Sequence, residues 1–242
     1  MTVALSVVVP VKDEADNVAT LAREIASAMG GDSSVEIIFV DDGSADETLP
    51  RLLRLKNELP SLRVVRHTRN GGQSRALRSG VRAAKAGVIV TLDGDGQNDP
   101  ADISKVLAPF HAESGAPRIG MVSGVRTRRR DSLSKRIASV LANRLRRSLL
   151  DDGAADVGCG LKAFQREAYL ALPYFDHMHR YLAALMLREG YEVRFVDVGH
   201  RPRLHGRSKY GVWDRFLVGV QDIFGVLWLK KRYCGAVEAM EL

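Results

Sequence analysis

The chain has 242 residues, enough for one ordinary globular core, and its 45% hydrophobic and 27% charged residues exclude collagen-like and intrinsically disordered classes. The 36 Lys and Arg against 29 Asp and Glu leave a formal charge of +7, which favours an anionic partner: nucleic acid, a phosphorylated ligand or an acidic lipid surface. Cys159 and Cys234 are far apart and suggest neither a disulfide framework nor a thiolate zinc site.

The opening run MTVALSVVVPVKDE has no basic leader and meets Asp13 and Glu14 at once, so it reads as a buried first strand and not as a signal peptide. Near-continuous apolar runs follow over residues 5–11, 35–40, 62–67, 87–92 and 119–124, the pattern of parallel strands buried on both faces. Between them, residues 15–29, 46–59, 74–86 and 101–112 carry apolar side chains at helical spacing. Repeated βαβ units result, and the expected fold class is α/β, with an open, mostly parallel, twisted sheet flanked by helices. From Arg126 the chain becomes basic, RTRRRDSLSKR, and then helical, with Leu133, Ile137, Val140, Leu141, Leu145 and Leu149 in one stripe. Lys135, Arg136, Arg144, Arg146 and Arg147 are expected on its other faces. A late strand over 192–198, a basic loop HRPRLHGRSKYG and an apolar, aromatic helix ending in LKKR complete the chain. The run 212–229 contains Asp214, Arg215 and Asp222 and falls short of the roughly 20 clean apolar residues of a spanning helix, so no membrane crossing is expected.

Ligands of open α/β sheets bind beyond the carboxyl ends of the strands. Three acidic clusters stand there: Asp13 and Glu14, then Asp41 and Asp42, then Asp93, Asp95 and Asp99. Helix capping is a competing explanation for Asp13 and for Ser44 with Glu47, but it accounts poorly for Asp41, Asp42 and the third cluster. In LDGDGQNDP, Asp93, Asp95 and Gln97 alternate at a strand end, and such oxygen ligands suit a hard cation, Mg²⁺ or Mn²⁺. A calcium EF-hand fails on the same residues, because Asn98 stands where Gly is needed and Ser104 where a bidentate Glu belongs. The absence of GxxxxGK[ST], of GxGxxG after the first strand and of GxSxG argues against P-loop, nicotinamide and serine-hydrolase chemistry. His177 and His179 read as helix-start packing. The RTRRR run lacks interleaved aromatics, so nucleic acid is not expected as a partner.

In order and spacing, VVVPVKDEADN, VDDGSADET and RNGGQSRALRSGVRAAKAGVIVTLDGDGQNDP resemble the inverting family 2 glycosyltransferases of the GT-A fold. VSGVRTRRR, SVLANRL, DVGCGLKAFQREAYLAL and HRPRLHGRSKYG resemble the polyprenyl-phosphate branch, typified by dolichol-phosphate mannosyltransferase. The resemblance implies a Rossmann-like GT-A catalytic domain over residues 1–211, with a nucleotide-sugar half to about 125 and an acceptor half from 126. A C-terminal amphipathic helix and tail, 212–242, would follow. It implies that Pro10, Lys12, Glu14 and Asp42 surround the base and ribose, Asp42 accepting from a base N–H with Asp41 as the neighbouring alternative. Asp93, Asp95 and Gln97 would hold the divalent metal against the donor pyrophosphate, and Arg203, Ser208 and Lys209 would close over it as a lid. Arg126, Lys135 or Arg136, and Ser139 would receive the acceptor phosphate, and the turn from Asp156 to Lys162 would wall the sugar site. Two departures stand out: Cys159, Gly160, Leu161 and Lys162 replace the SGFR of many relatives, and Lys135 stands where Arg is expected.

The implied reaction moves a sugar from a nucleotide-diphosphate sugar to a polyprenyl phosphate, with Asp93, Asp95, Arg126, Arg136 and Ser139 as the catalytic set. A UDP-sugar is favoured, and the extra Arg and Lys near the sugar site favour a uronic acid. A phosphate monoester, with its second pKa at about 6, is largely dianionic at neutral pH and needs no strong general base. An enzyme acting on a soluble or saccharide hydroxyl needs an acidic base, for which Asp156 is the candidate. Two apolar stripes flanked by Arg and Lys are expected to lie on an anionic membrane surface: residues 133–150, and Phe216, Leu217, Val220, Phe224, Leu227 and Trp228 before Lys230. Packing on the sheet or in a homo-oligomer is the alternative. The expected location is cytoplasmic, peripheral on the inner face of the membrane, in envelope glycan or lipid modification.

Overall fold

Strands that are apolar at every position must bury both faces, and those of the N-terminal half do so. In the computed structural model, which describes residues 3–111, 119–127, 146, 149–202, 212–235 and 240, with backbone alone for 212–218, seven strands form one sheet. They are β1 (Leu5–Val11), β2 (Val35–Asp41), β3 (Leu62–Arg66), β4 (Val88–Thr91), β5 (Ile119–Arg126), β6 (Lys162–Gln165) and β7 (Glu192–Val198), in the order β3-β2-β1-β4-β6-β5-β7. Strands β1 to β4 pair in parallel, β5 is parallel to β7, and β6 runs antiparallel to both of its neighbours. The expected mostly parallel sheet is present, with strand and helix bounds within a few residues of those expected. The antiparallel strand β6 is the addition. At four residues, KAFQ is too short to show a period.

The helices are α1 (Ala15–Ala28), α2 (Thr48–Leu55), α3 (Gln73–Ala83), α4 (Ile103–His111), α5 (Arg166–Ala171), α6 (Leu182–Arg188) and α7 (Val212–Lys231). Val7, Val9, Ile37 and Phe39 face one side of the sheet with Val18, Leu21 and Ile25 of α1 and Ile103 of α4. Val8, Ile38, Val40 and Ile89 face the other with Ala76, Leu77 and Val81 of α3, Phe164 of β6 and Leu185 of α6. Alternate residues of one strand therefore serve two separate cores. The buried Glu36 on β2 is supported by Ser6 Oγ at 2.6 Å, by the Lys85 backbone N–H at 2.6 Å and by Arg63. Burial alone would push its carboxyl up, but these donors outweigh burial and hold it below the usual range.

Helix α7 is tied to the body by Tyr181, whose hydroxyl donates to Gly219 O at 3.0 Å, and by Arg188, whose Nε donates to Leu229 O at 3.0 Å. Arg146, expected on the charged face of the preceding helical stripe, is instead buried and paired with the fully buried Asp152. Arg146 turns inward because its charge finds a carboxylate and the Arg180 carbonyl, which helical spacing alone does not disclose.

Gly80 is where α3 presses hardest on the sheet. A Cβ there would lie 2.4 Å from Val8 Cγ1 and 3.0 Å from Val40 Cγ2. Gly80→Ala gains about 1 kcal/mol in helix propensity, yet overpacking against branched side chains costs about 1–3 kcal/mol. The variant is expected to have a lower urea midpoint than the parent. An equal or higher midpoint would show that the sheet yields at this contact.

Candidate active site

The carboxyl ends of β1, β2 and β4 open onto one cleft, joined by the amino end of β6 and the carboxyl ends of β5 and β7. The loops after β1 and β2 brace one another. The Asp13 backbone N–H donates to Ser44 Oγ at 2.9 Å, and Asp13 Oδ1 accepts from the Ala45 N–H at 2.7 Å. Neither Asp13 nor Ser44 caps its helix, contrary to the capping alternative. Asp46 instead accepts from the backbone N–H groups of Ala15, at 3.2 Å, and Thr48, at 2.9 Å, serving the starts of α1 and α2 together. Lys12 reaches Gly43 O at 3.3 Å, and Glu14 accepts from Asn17 at 2.6 Å. Pro10, paired with Val40 in the sheet, sits at the strand end with them.

Asp41 and Asp42 are both buried, at 1% and 4% exposure. Asp42 accepts from the backbone N–H groups of Gly71 and Gly72, each at 2.8 Å, and lies 2.7 Å from His67 Nδ1. Its carboxylate thereby anchors the RNGG loop to β2. Asp41 Oδ1 accepts from the Ser44 N–H at 3.2 Å, while its Oδ2 has no partner among the described residues. Tertiary bonding thus keeps Asp42 occupied and leaves the spare oxygen on Asp41.

Asp93 lies at the floor. Its Oδ1 accepts from Gln73 Nε2 at 2.9 Å, and its backbone N–H donates to Asn98 Oδ1 at 3.2 Å. Its carboxylate lies so close to Gly160 that a Cβ there would sit 2.3 Å from Asp93 Cγ, so the glycine of the CGLK turn is required by the floor itself. Burial and the neighbouring Asp95 push the Asp93 carboxyl up to about 6, against the pull of Lys162, Arg126 and the Gln73 bond. Asp95 accepts from the Gln97 N–H at 3.1 Å, and Gln97 O accepts from the Arg201 N–H at 2.9 Å. Arg201 also pairs with Asp99 at 2.7 Å and Glu24 at 2.8 Å, fastening the chain after β7 to the acidic turn.

Arg126, at the end of β5, grips Asp156 by Nε at 2.6 Å and Nη2 at 2.8 Å. Both residues, assigned separately to acceptor phosphate and sugar, are one bidentate pair. Lys162, expected in the wall of the sugar site, is buried beneath the cleft, where its ammonium meets Cys159 O and burial pushes the lysine down. The spacing places Lys162 near the site, but the antiparallel β6 turns its side chain under the floor. Lys135, Arg136, Ser139, Arg203, Ser208 and Lys209 lie outside the described residues. His179 bonds Ser74 Oγ at 2.7 Å and Met178 is fully buried, as expected of packing residues. Gln73, Asn98, His67 and Asp46 support the site without having been singled out. Their only sequence signal is their place within or beside the matched motifs.

A hard cation fits the floor on chemistry: two carboxylates repel there, and a divalent ion relieves a raised carboxyl. Among the described residues no three His, Cys, Asp or Glu side chains gather around one point, so further ligands would come from Gln97 and a bound substrate.

Residues 6–172 match the family model described as Glycosyl transferase family 2. A dodecaprenyl-phosphate galacturonate synthase of Rhizobium johnstonii is 32% identical over 94% of this chain and 67% of that protein. An undecaprenyl-phosphate 4-deoxy-4-formamido-L-arabinose transferase of Edwardsiella ictaluri is 32% identical over 86% of this chain and 63% of its own length. The chain thus spans about two thirds of the length of these curated relatives. A solved structure of glucosyl-3-phosphoglycerate synthase from Mycobacterium tuberculosis, with Mn²⁺, UDP and glucosyl-3-phosphoglycerate, matches with a TM-score of 0.70. That match covers 94% of this chain and 79% of the other at 20% identity, and it bears on the fold, which is the expected GT-A-like one.

A carboxyl raised from 3.8 to about 6 costs stability once it ionises. The contribution of Asp93 is fully present below pH 3.8 and is lost as pH rises through about 6. Asp93→Asn removes this loss. Its stability advantage over the parent in urea titrations is expected to grow between pH 4 and pH 7, reaching about 3 kcal/mol at most. A pH-independent difference would contradict the raised carboxyl.

Proposed function

The chain belongs to glycosyl transferase family 2, and from that membership we propose that it moves a sugar from a nucleotide-diphosphate sugar onto the phosphate of a polyprenyl phosphate. The observation that carries the acceptor assignment is the likeness, over 94% of the chain, to a relative named for a polyprenyl-phosphate product. The galacturonate in the name of that relative favours a uronic acid as the sugar, and a uridine nucleotide is kept as the expected carrier. A reading with a hydroxyl acceptor is weaker, because both oxygens of Asp156, the carboxylate available as base, are held by Arg126.

In this reading a phosphate oxygen of the acceptor attacks the anomeric carbon, the bond to the nucleoside diphosphate breaks, and its electron pair leaves with the diphosphate. The acceptor is already dianionic, so no side chain has to remove a proton. The chain's task is to bring two polyanions together and stabilise the departing charge. Arg126, oriented by Asp156, faces the acceptor phosphate, assisted by Lys135, Arg136 and Ser139. Pro10, Lys12, Glu14, Asp41 and Asp42 frame the base and ribose, and Arg203, Ser208 and Lys209 close over the phosphates. Asp93, Asp95 and Gln97 would hold Mg²⁺ or Mn²⁺, which would supply countercharge to the diphosphate. Inversion at the anomeric carbon follows from the family resemblance.

The outer face of α7 supports docking on an anionic membrane. Val220, Phe224 and Trp228, at successive four-residue steps, are 38%, 67% and 58% exposed, while Val226 faces the core. Lys231 and Arg232 are exposed at the end of this ridge, Arg232 lying 5.9 Å from the Trp228 ring centroid. No helix among the described residues is long and apolar enough to cross a membrane. An apolar ridge with a basic end is suited to the headgroup boundary, where each cation contributes about 1 kcal/mol.

With Mn²⁺, undecaprenyl phosphate and labelled UDP-sugars, label is expected in the organic phase for one donor, and Asp95→Asn is expected to lower that product at least 100-fold. Label that remains in water despite donor binding would redirect the assignment to a hydroxyl acceptor. Phe224→Ser with Trp228→Ser is expected to abolish flotation with anionic liposomes while leaving the fold intact by circular dichroism. Undiminished flotation would remove α7 as the docking element.

A further inference from the structure

Beside the loop that follows β3 lies a cavity of about 660 Å³ with no role in the chemistry above. Arg66, Arg69 and Arg75 line it together with His67, Gly71, Tyr174 and Asp176. Elsewhere among the described residues, Arg63, Arg126, Arg146 and Arg201 hold a carboxylate partner, whereas Arg78, Arg82, Arg180 and Arg232 show no ion pair. The three cavity arginines have none among the described residues, and Asp176 is the one acidic side chain in the lining. Arg75 is held flat over the Tyr174 ring, 4.1 Å from its centroid, which limits its freedom before any ligand arrives. Lys12, Glu14, Asp93, Asp95, Arg126 and Asp156 do not line this cavity, which borders the site only through His67 and Gly71, the two lining residues that Asp42 holds.

Three guanidinium groups line one open cavity, and an anion with several oxygens is the partner that their forked donors match. We propose that this cavity binds a phosphate-bearing anion at a site distinct from the donor pocket. The chemistry is shared by a free phosphorylated metabolite and a phospholipid headgroup. The binding does not depend on the glycosyl-transfer reading, because it uses none of the residues assigned to that reaction.

The test uses the full chain in EDTA, titrated with inorganic pyrophosphate by calorimetry. Arg66→Gln with Arg75→Gln, both at exposed positions, is expected to weaken binding at least tenfold, and Asp95→Asn is expected to change it less than twofold. Unchanged binding in the double arginine variant, a tenfold loss in Asp95→Asn, or competitive displacement of pyrophosphate by UDP would overturn the proposal. A parallel arm measures binding to phosphatidylcholine vesicles containing phosphatidic acid. A tenfold loss in the arginine variant in that arm identifies a headgroup as the source, and loss confined to pyrophosphate identifies a soluble phosphate. Binding of neither probe would also overturn it. No arm uses a sugar, so failure of transfer and failure of this site remain distinguishable.

Discussion

Two carboxylates held close together at the end of a strand buried on both faces dominate this molecule. Asp93 and Asp95 stand two residues apart in the half-buried turn after β4, and burial and the charge of Asp95 together push the Asp93 carboxyl up. Much of the surrounding structure reads as a response to that charge. Lys162 is buried below it, Arg126 stands beside it, and Gln73 donates to it from the first residue of α3. A buried lysine is expensive by itself, and here the nearby carboxylates offset only part of the cost, because burial still holds the ammonium below its usual range. A floor of this kind is poised for a cation and for the anionic substrates a cation brings.

The same compensation extends outward and organises the rim. Arg126 is fixed by a two-point grip on Asp156, and Arg201 bridges Asp99 and Glu24, so the ends of β5 and β7 are fastened where a diphosphate and an acceptor phosphate would meet. On the other side, Asp42 gathers two backbone N–H groups and His67, which holds the RNGG loop against β2. Asp42 and Asp156 are buried carboxylates satisfied by fixed donors, where hydrogen bonds are strong and unpaired groups are costly, while the Arg201 cluster is partly solvated. Rigid, charged walls of this kind suit a reaction whose difficulty is electrostatic and not proton transfer.

Much of the fold was legible because its signals are local. Runs such as LSVVVPV and VEIIFV announce doubly buried strands, and the helices between them show their period. The DGDGQ turn and the DD pair stand at strand ends, where ligands of such sheets bind. What escaped has a physical cause in each instance. KAFQ is too short to betray an antiparallel strand, yet that strand carries Lys162 under the floor. Arg146 looks solvated by helical spacing and becomes buried because Asp152 faces it. Gln73 and His67 are unremarkable polar residues until folding brings Asp93 and Asp42 within reach.

The amino-acid sequence by itself determined the α/β class, the order of the elements in the N-terminal half and the family, because periodicity and motif spacing are properties of neighbouring residues. It also identified which acidic residues end strands. Only the tertiary structure decided what those residues do to one another: Asp42 committed to a loop, Asp41 left with a spare oxygen, Arg126 and Asp156 joined as one pair, and Gly160 required by the carboxylate against it. Polar interactions at about 3 Å link positions from 20 to 177 residues apart, and burial sets their strength, so neither quantity is encoded in any local stretch of the chain.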